Sequence, residues 1–222
     1  EIKKISRRDL AVAVSQQLSG STTVASTMII ANLAKIAVFA TGGIGGVHRG
    51  AETSLDISAD LDELSRTNVC VVCAGVKSIL DIGLTLEYLE TKGVPVIGYK
   101  TSEMPAFYST KSGFNVDYRI DAAADIADIL KTKWDLSING GVLVTNPIPV
   151  AAELESSVMN DAINQAIIEA DNEKITGKKI TPYLLSKVNE ITKGKSLDAN
   201  IKLIKNNADL AAKIAVHFAQ KD

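Results

Sequence analysis

This chain is short of the residues that would tie it to a metal cluster, a disulfide framework or a membrane. It has 2 cysteines and 2 histidines in 222 residues. Cys70 and Cys73 form one C-x-x-C with no second such pair, so half of a zinc site would be missing. A redox pair usually opens a helix. These cysteines instead sit in the apolar run Val69-Cys70-Val71-Val72-Cys73 and read as two small residues of a buried strand. Reduced thiols of this kind suit a cytoplasmic protein. No apolar run is long enough to cross a bilayer, and no stretch has the basic, apolar, small-residue order of a signal peptide. Positive charge is not in excess either. Lys and Arg number 24 against 26 Asp and Glu, a net charge of −2 that argues against nucleic acid as a partner. Aromatics are only 5%, and an aliphatic core of this kind suits an α/β fold.

What the sequence does have is a repeating order of strand, glycine turn and helix. Ser6-Arg7-Arg8-Asp9 carries a capping box, which predicts a helix to about Leu18 closed by Gly20. Thr22 or Thr23 then caps an apolar helix through about Ile36. Short buried strands are expected at Ala37–Ala40, Val69–Ala74, Val94–Tyr99, Val116–Ile120 and Gly141–Thr145. Helices are expected at Ala59–Ser65, Ser78–Thr91 and Ala122–Trp134, and then at Ala151–Asn172, Pro182–Thr192 and Asp198–Gln220. Pro182 is suited to a helix start because its missing N–H is not needed there. The order predicts a three-layer α/β/α fold with a largely parallel central sheet and a helical C-terminal portion. No linker or internal repeat divides residues 1–222, which read as a single domain.

Ligands of such sheets bind at the carboxyl ends of the strands, and several unusual segments fall there. Thr41-Gly42-Gly43-Ile44-Gly45-Gly46-Val47-His48-Arg49-Gly50 offers backbone N–H groups to an anion, with Arg49 for charge, or serves as a tight turn. A dinucleotide fingerprint fails, because His48 stands where the third glycine belongs. Asp56 and Asp60 suit a divalent cation or sugar hydroxyls. Ser58 as a helix cap accounts for Asp60 but not for Asp56. Lys77, just past an apolar strand, is either a desolvated nucleophilic amine or a surface lysine near a helix start. Lys4 lies among four bases that either meet a phosphate or are simply solvated. Asn200 either meets a polar ligand or is an ordinary early-turn residue, and His217, in an alanine-rich helix, reads as packed.

Taken together, the chain resembles the pseudouridine-5′-phosphate glycosidase family, also called the indigoidine synthase A family. The resemblance is carried by Ser6-Arg7-Arg8-Asp9-Leu10, Thr22-Thr23-Val24, Phe39 to Glu52, Asp56 to Leu64 and Cys73-Ala74-Gly75-Val76-Lys77. It continues through Leu84 to Thr91, Asn146-Pro147-Ile148-Pro149 and Ala199-Asn200, and so covers essentially the whole chain. It implies reversible cleavage of pseudouridine 5′-phosphate to uracil and ribose 5-phosphate. Lys77 would be the nucleophile, forming an imine with the opened ribose while uracil departs after protonation at C5. Asp56 falls on the position of a manganese ligand (one Mn2+ per subunit). Lys4, Val24 and Ser58-Ala59-Asp60 fall on substrate-contacting positions, with Thr23, His48 and Asn200 in the same pocket and His48 expected to take part in catalysis. A homotrimer and a functional link to a pseudouridine kinase are also implied.

In the family a further N-terminal segment carries a carboxylate proton donor. Glu1 falls too close to Lys4 to be that residue, so either the segment with the acid–base partner lies outside these 222 residues or the product lacks that partner, and an organellar location stays open beside the cytoplasmic one. Loss of a general acid costs about 10²–10⁴ in rate. The other readings are a related C-glycoside synthase or imine-forming lyase and, from another class, a sugar-phosphate-binding protein without turnover.

Overall fold

The computed structural model describes residues 2–175 and 177–220. Its centre is built from short runs of aliphatic residues with no polar alternation, which are stable only where both sheet faces are covered. In chain order the elements before the first long crossover are β1 (Lys3–Ile5), α1 (Arg7–Ser15), β2 (Gly20–Thr22), α2 (Val24–Leu33), β3 (Val38–Ala40), β4 (Val47–His48), α3 (Ala51–Ser54) and α4 (Ala59–Leu64). Then come β5 (Cys70–Cys73), β6 (Leu80–Asp81), α5 (Ile82–Thr91), β7 (Val96–Tyr99), β8 (Tyr118–Ile120), α6 (Ala123–Asp135) and β9 (Val142–Thr145). Helices α7 (Ser156–Asn172), α8 (Ile180–Ile191) and α9 (Lys195–Ala219) close the chain.

Five strands form one parallel sheet in the order β3-β5-β9-β7-β8. One face packs Cys70, Val72, Val142 and Val144 against Ile126 and Leu130 of α6 and Leu210 and Ile214 of α9. The other packs Val71, Cys73 and Leu143 with Met28 of α2, Leu61 and Leu64 of α4 and Leu89 of α5. The expected three-layer α/β/α architecture with a helical C-terminal portion is therefore present. Strand alternation sends Cys70 and Cys73 to opposite faces, where they pack as small apolar residues. Burial raises both thiols, that of Cys73 to about 12. No helix of the described residues is long and apolar enough to cross a membrane.

All five expected central strands are found, each slightly shorter than its apolar run. Several helix starts differ, and the caps explain why. Asp81 accepts a hydrogen bond from Leu84 N–H at 2.9 Å, so α5 opens at Ile82 rather than Ser78, and Leu80-Asp81 is left to pair with β4. Gly194, at φ +84°, opens α9 at Lys195 rather than Asp198. Helix α7 opens at Ser156 rather than Ala151, because residues 150–152 form a separate 3-10 turn. The capping box holds: Ser6 N–H donates to Asp9 Oδ2 at 3.0 Å. Unanticipated is the parallel pairing of β1 with β2, Lys4 opposite Ser21, which converts the basic N-terminal run into a strand beside the starts of α1 and α2. Two three-residue strands are too short to declare themselves by alternation.

Parallel pairing does not stop where β3 and β5 end. Thr41 N–H donates to Val72 O at 2.9 Å and Ala74 N–H to Gly42 O at 2.9 Å. Ile44 N–H donates to Gly75 O and Lys77 N–H to Ile44 O, both at 3.1 Å. The glycine loop and the lysine turn thus leave the sheet as one two-stranded ladder. Gly75 sits in it at φ +94°, and a Cβ there would collide with the Pro105 carbonyl oxygen. Gly75→Ala is expected to lower unfolding free energy by about 1–3 kcal/mol, seen as a lower urea midpoint at unchanged m-value. A midpoint equal to wild type would contradict the crowding at Pro105.

Candidate functional site

A cavity of about 1020 Å³ opens at the carboxyl ends of β3 and β5, between the ladder, the β1–β2 pair and α8. Of the positions singled out from sequence, Lys4, Thr23, His48, Asp56, Ser58, Ala59, Asp60 and Lys77 all line it. They arrive there from four separate parts of the chain. Val24 and Asn200 do not line it. Val24 is buried in the core at the first turn of α2. Asn200 lies on α9 against Gly42, at the other end of the glycine loop from Gly45. Its Oδ1 is buried with no hydrogen-bond partner among the described residues.

The glycine loop is held from three sides. Val47 N–H donates to the buried Thr85 Oγ1 at 2.9 Å, and Val47-His48 pairs with Leu80-Asp81. On the other edge, His48 N–H donates to Asp56 O and Ser58 N–H to Gly46 O, both at 3.0 Å. His48 is thereby fixed beside Asp56, its Nε2 3.9 Å from Asp56 Oδ2. The imidazole is pulled below its ordinary value chiefly by burial. Asp56 works against this, and the charges of Lys4 and Lys77 add to it. His48 is therefore mostly neutral near pH 7, with an imidazole able to take or give a proton.

Three helix starts face the cavity, each capped by a hydroxyl residue on its wall: Ser6 for α1, Thr23 for α2 and Ser58 for α4. Arg7 and Arg8 line the same wall. The Arg7 guanidinium is paired with the buried Glu63 carboxylate, whereas Arg8 is largely exposed. The resemblance placed Thr23 and Ser58 in one pocket, but that Ser6 joins them there was not legible. Neither was the wall supplied by Thr181, Pro182 and Leu185 of α8, since Thr181-Pro182 signals only a helix start.

Lys77 is half-buried on the cavity wall, its backbone set by the ladder. Burial lowers its amine below the ordinary lysine value. The Asp60 carboxylate opposes that shift and Lys4 reinforces it. A lysine of this kind carries more free amine at neutral pH than one in water, which is what attack on a carbonyl carbon requires. Among the described residues no group of three or more His, Cys, Asp or Glu is placed to hold a metal. Asp56, partly exposed, is the carboxylate left for a cation, since both oxygens of Asp60 accept from backbone N–H groups.

The comparisons with known proteins identify the family. The family described as indigoidine synthase A like protein matches residues 1–217. The pseudouridine-5′-phosphate glycosidase of Clostridium botulinum (strain Langeland / NCTC 10281 / Type F) is 60% identical over 220 residues, 99% of this chain and 72% of that protein. The protein of the same name from Geobacillus kaustophilus (strain HTA426) is 62% identical over 215 residues, 97% of this chain and 71% of that one. A crystal structure of a prealnumycin C-glycosynthase in complex with ribulose 5-phosphate superposes with a TM-score of 0.92 at 39% identity, covering 99% of this chain and 72% of that one. An indigoidine synthase A-like protein from Thermotoga maritima gives 0.90 at 35%, covering 97% and 71%.

Because its amine is lowered, Lys77 should be acylated with a pH midpoint below that of the exposed lysines, read by peptide mapping across a pH series. A midpoint shared with the exposed lysines would contradict the desolvated amine.

Proposed function

The chain belongs to the indigoidine synthase A-like family, and on that footing we propose that it is a pseudouridine-5′-phosphate glycosidase working through an imine on Lys77. The observation that carries this reading is the half-buried Lys77 amine facing a cavity large enough for a nucleotide. Curated relatives of that name at 60–62% identity support the substrate, and the ribulose 5-phosphate held by the C-glycosynthase neighbour supports a sugar phosphate.

The chemistry follows from the bond to be broken. A carbon–carbon glycosidic bond has no heteroatom to leave, so C1′ must first gain a neighbouring lone pair that can expel the base. The Lys77 nitrogen bonds to C1′ and the ring oxygen departs as a hydroxyl, taking up the equivalent of the proton that the nitrogen loses. Protonation of the uracil at C5 then lets the C1′–C5 electrons go to the base, and the nitrogen lone pair closes to a protonated imine. Water adds to that imine and returns the free amine with ribose 5-phosphate. Splitting one hard displacement into two easier steps is what covalent catalysis contributes. His48, neutral and fixed beside Asp56, is suited to pass protons within the cavity. Lys4, Arg8 and the starts of α1 and α2 favour the dianionic phosphate. The backbone around Ser58-Ala59 and the hydroxyl of Thr23 stand ready for sugar and phosphate oxygens. Val24 belongs to the reading through its place in the first turn of α2. Asn200, with its orphaned Oδ1, marks the Gly42 end of the loop as a second place where a polar ligand group would be satisfied.

A manganese ion fits the donor set as one carboxylate plus water. Asp56 would hold it, and a hard cation that keeps most of its waters would add positive charge for substrate oxygens. Asp56→Asn is expected to weaken manganese binding about tenfold or more, measured by electron paramagnetic resonance without substrate. Unchanged affinity would remove Asp56 as the ligand. The family reading also carries a homotrimer and a link to a pseudouridine kinase, the first open to sedimentation analysis.

The deciding experiment is borohydride trapping with ribose 5-phosphate followed by peptide mass analysis. The expected adduct is on Lys77. Lys77→Arg should abolish it and reduce any uracil release by about 10⁴-fold or more. An adduct on another lysine, or none, would overturn the mechanism. The likeness to a C-glycosynthase favours a second reading, a C-glycoside synthase with another acceptor, which faster turnover with aglycones other than uracil would support.

A further inference from the structure

We propose that Asp60 is a positioning residue for Lys77: its buried carboxylate locks the glycine loop to which the Lys77 backbone is hydrogen-bonded and supplies the counter-charge for the protonated imine. The inference rests on the imine reading above and goes beyond it, because Asp60 is there taken as one of a run of substrate-contacting residues.

The geometry leaves little of this carboxylate for a ligand. Asp60 is 4% exposed. Its Oδ1 accepts from Ala25 N–H at 2.8 Å, in the first turn of α2, and its Oδ2 accepts from Gly45 N–H at 2.8 Å, in the glycine loop. Its own N–H donates to Ser58 Oγ at 3.3 Å. A single side chain therefore ties the starts of α2 and α4 to the loop. The loop approaches so closely that a Cβ on Gly45 would collide with Ser58 Oγ and lie 2.7 Å from Asp60 Oδ2. The residue before Gly45 is Ile44, whose carbonyl accepts from Lys77 N–H at 3.1 Å. Asp60 thus reaches the Lys77 backbone through two consecutive hydrogen-bonded residues, and the two side chains line the same cavity, where the carboxylate charge favours the protonated amine.

The charge has a chemical use. When ribose 5-phosphate, as its open aldehyde, meets the free amine, nitrogen bonds to C1′. The aldehyde oxygen leaves as water with one amine hydrogen and one proton from solvent, and the product is a cationic imine. A neutral site becomes a positive one in a cavity already carrying Lys4 on β1, Arg7 and Arg8 on α1, with His48 on β4 close by. The carboxylates on that wall are Asp60 and Asp56. Asp56 lies beside His48, whereas Asp60 shares the cavity lining with Lys77 and favours its charged form. A buried carboxylate that needs no reorganisation stabilises such a charge more than a solvated one.

The test is the pH dependence of borohydride trapping by saturating ribose 5-phosphate, in wild type, Asp60→Asn and Gly45→Ala. Asp60→Asn removes the charge that keeps the Lys77 amine protonated. The acid limb of trapping should therefore move down by about one pH unit, while the maximal rate falls about 10²-fold. Gly45→Ala keeps the charge but displaces the loop, so its rate should fall with the acid limb unmoved. A purely structural Asp60 would lower the rate without moving the limb. A substrate-contacting Asp60 would raise the ribose 5-phosphate concentration needed for half-maximal trapping and leave both rate and limb alone. Either pattern overturns the proposal. If Asp60→Asn does not fold, wild-type rates in Gly45→Ala overturn it instead. Absence of trapping in wild type would sink the imine reading itself, a result distinct from all of these.

Discussion

Continuation of the β3–β5 ladder beyond the sheet is the constraint on which the rest of the site depends. Ordinarily the chain leaves a parallel strand and turns at once into a loop. Here Ala74, Gly75, Val76 and Lys77 run alongside Gly42, Gly43, Ile44 and Gly45, bonded backbone to backbone. The consequence is that a lysine with a long, flexible side chain starts from a fixed point. Its amine is then partly desolvated because the ladder lies against the cavity wall, under the β1–β2 pair and α8.

Such a ladder needs small residues, since two backbones and their supports approach from several sides. Gly45 meets Ser58 and Asp60, and Gly75 meets Pro105. Buried side chains then satisfy the loop amides that no strand reaches: Asp60 takes Gly45 N–H and Thr85 takes Val47 N–H. Leaving either amide unpaired in the interior would cost about 1–3 kcal/mol, so polar residues in otherwise apolar surroundings are stabilising here. The same amides define where His48 and Asp56 stand.

Charge is arranged on a similar economy. The cavity gathers Lys4, Arg8 and Lys77 near three capped helix starts, and Arg7 is held back by the buried Glu63. An overall charge of −2 gives no hint of this local excess. Under the proposed function a phosphorylated ligand would meet this positive wall, with its sugar carbon toward the Lys77 amine.

The aliphatic runs by themselves determined that five short strands would be buried on both faces, and hence a parallel sheet between two helical layers. Local polar signals likewise determined caps at Ser6, at Thr22 or Thr23 and at Ser58, and family resemblance picked out Lys77 from other strand-end lysines. Their meeting in one cavity was decided only by tertiary structure. Lys4 reaches the wall through a three-residue strand whose partner, β2, is fifteen or more residues away, and so short a pairing leaves no periodicity to read. The α8 wall comes from the far end of the chain. Asp60 looked like a helix-start carboxylate, and so it is by position, since α4 begins beside it. That its two oxygens hold Ala25 and Gly45 depends on long-range packing of α2 and the loop against α4, which no local pattern encodes. Asn200 shows the same limit from the other side: the family resemblance groups it with the site, but the packing of α9 puts it against Gly42, outside the cavity. Sequence patterns report which faces want burial and where helices begin; which distant faces meet is settled by how whole elements pack.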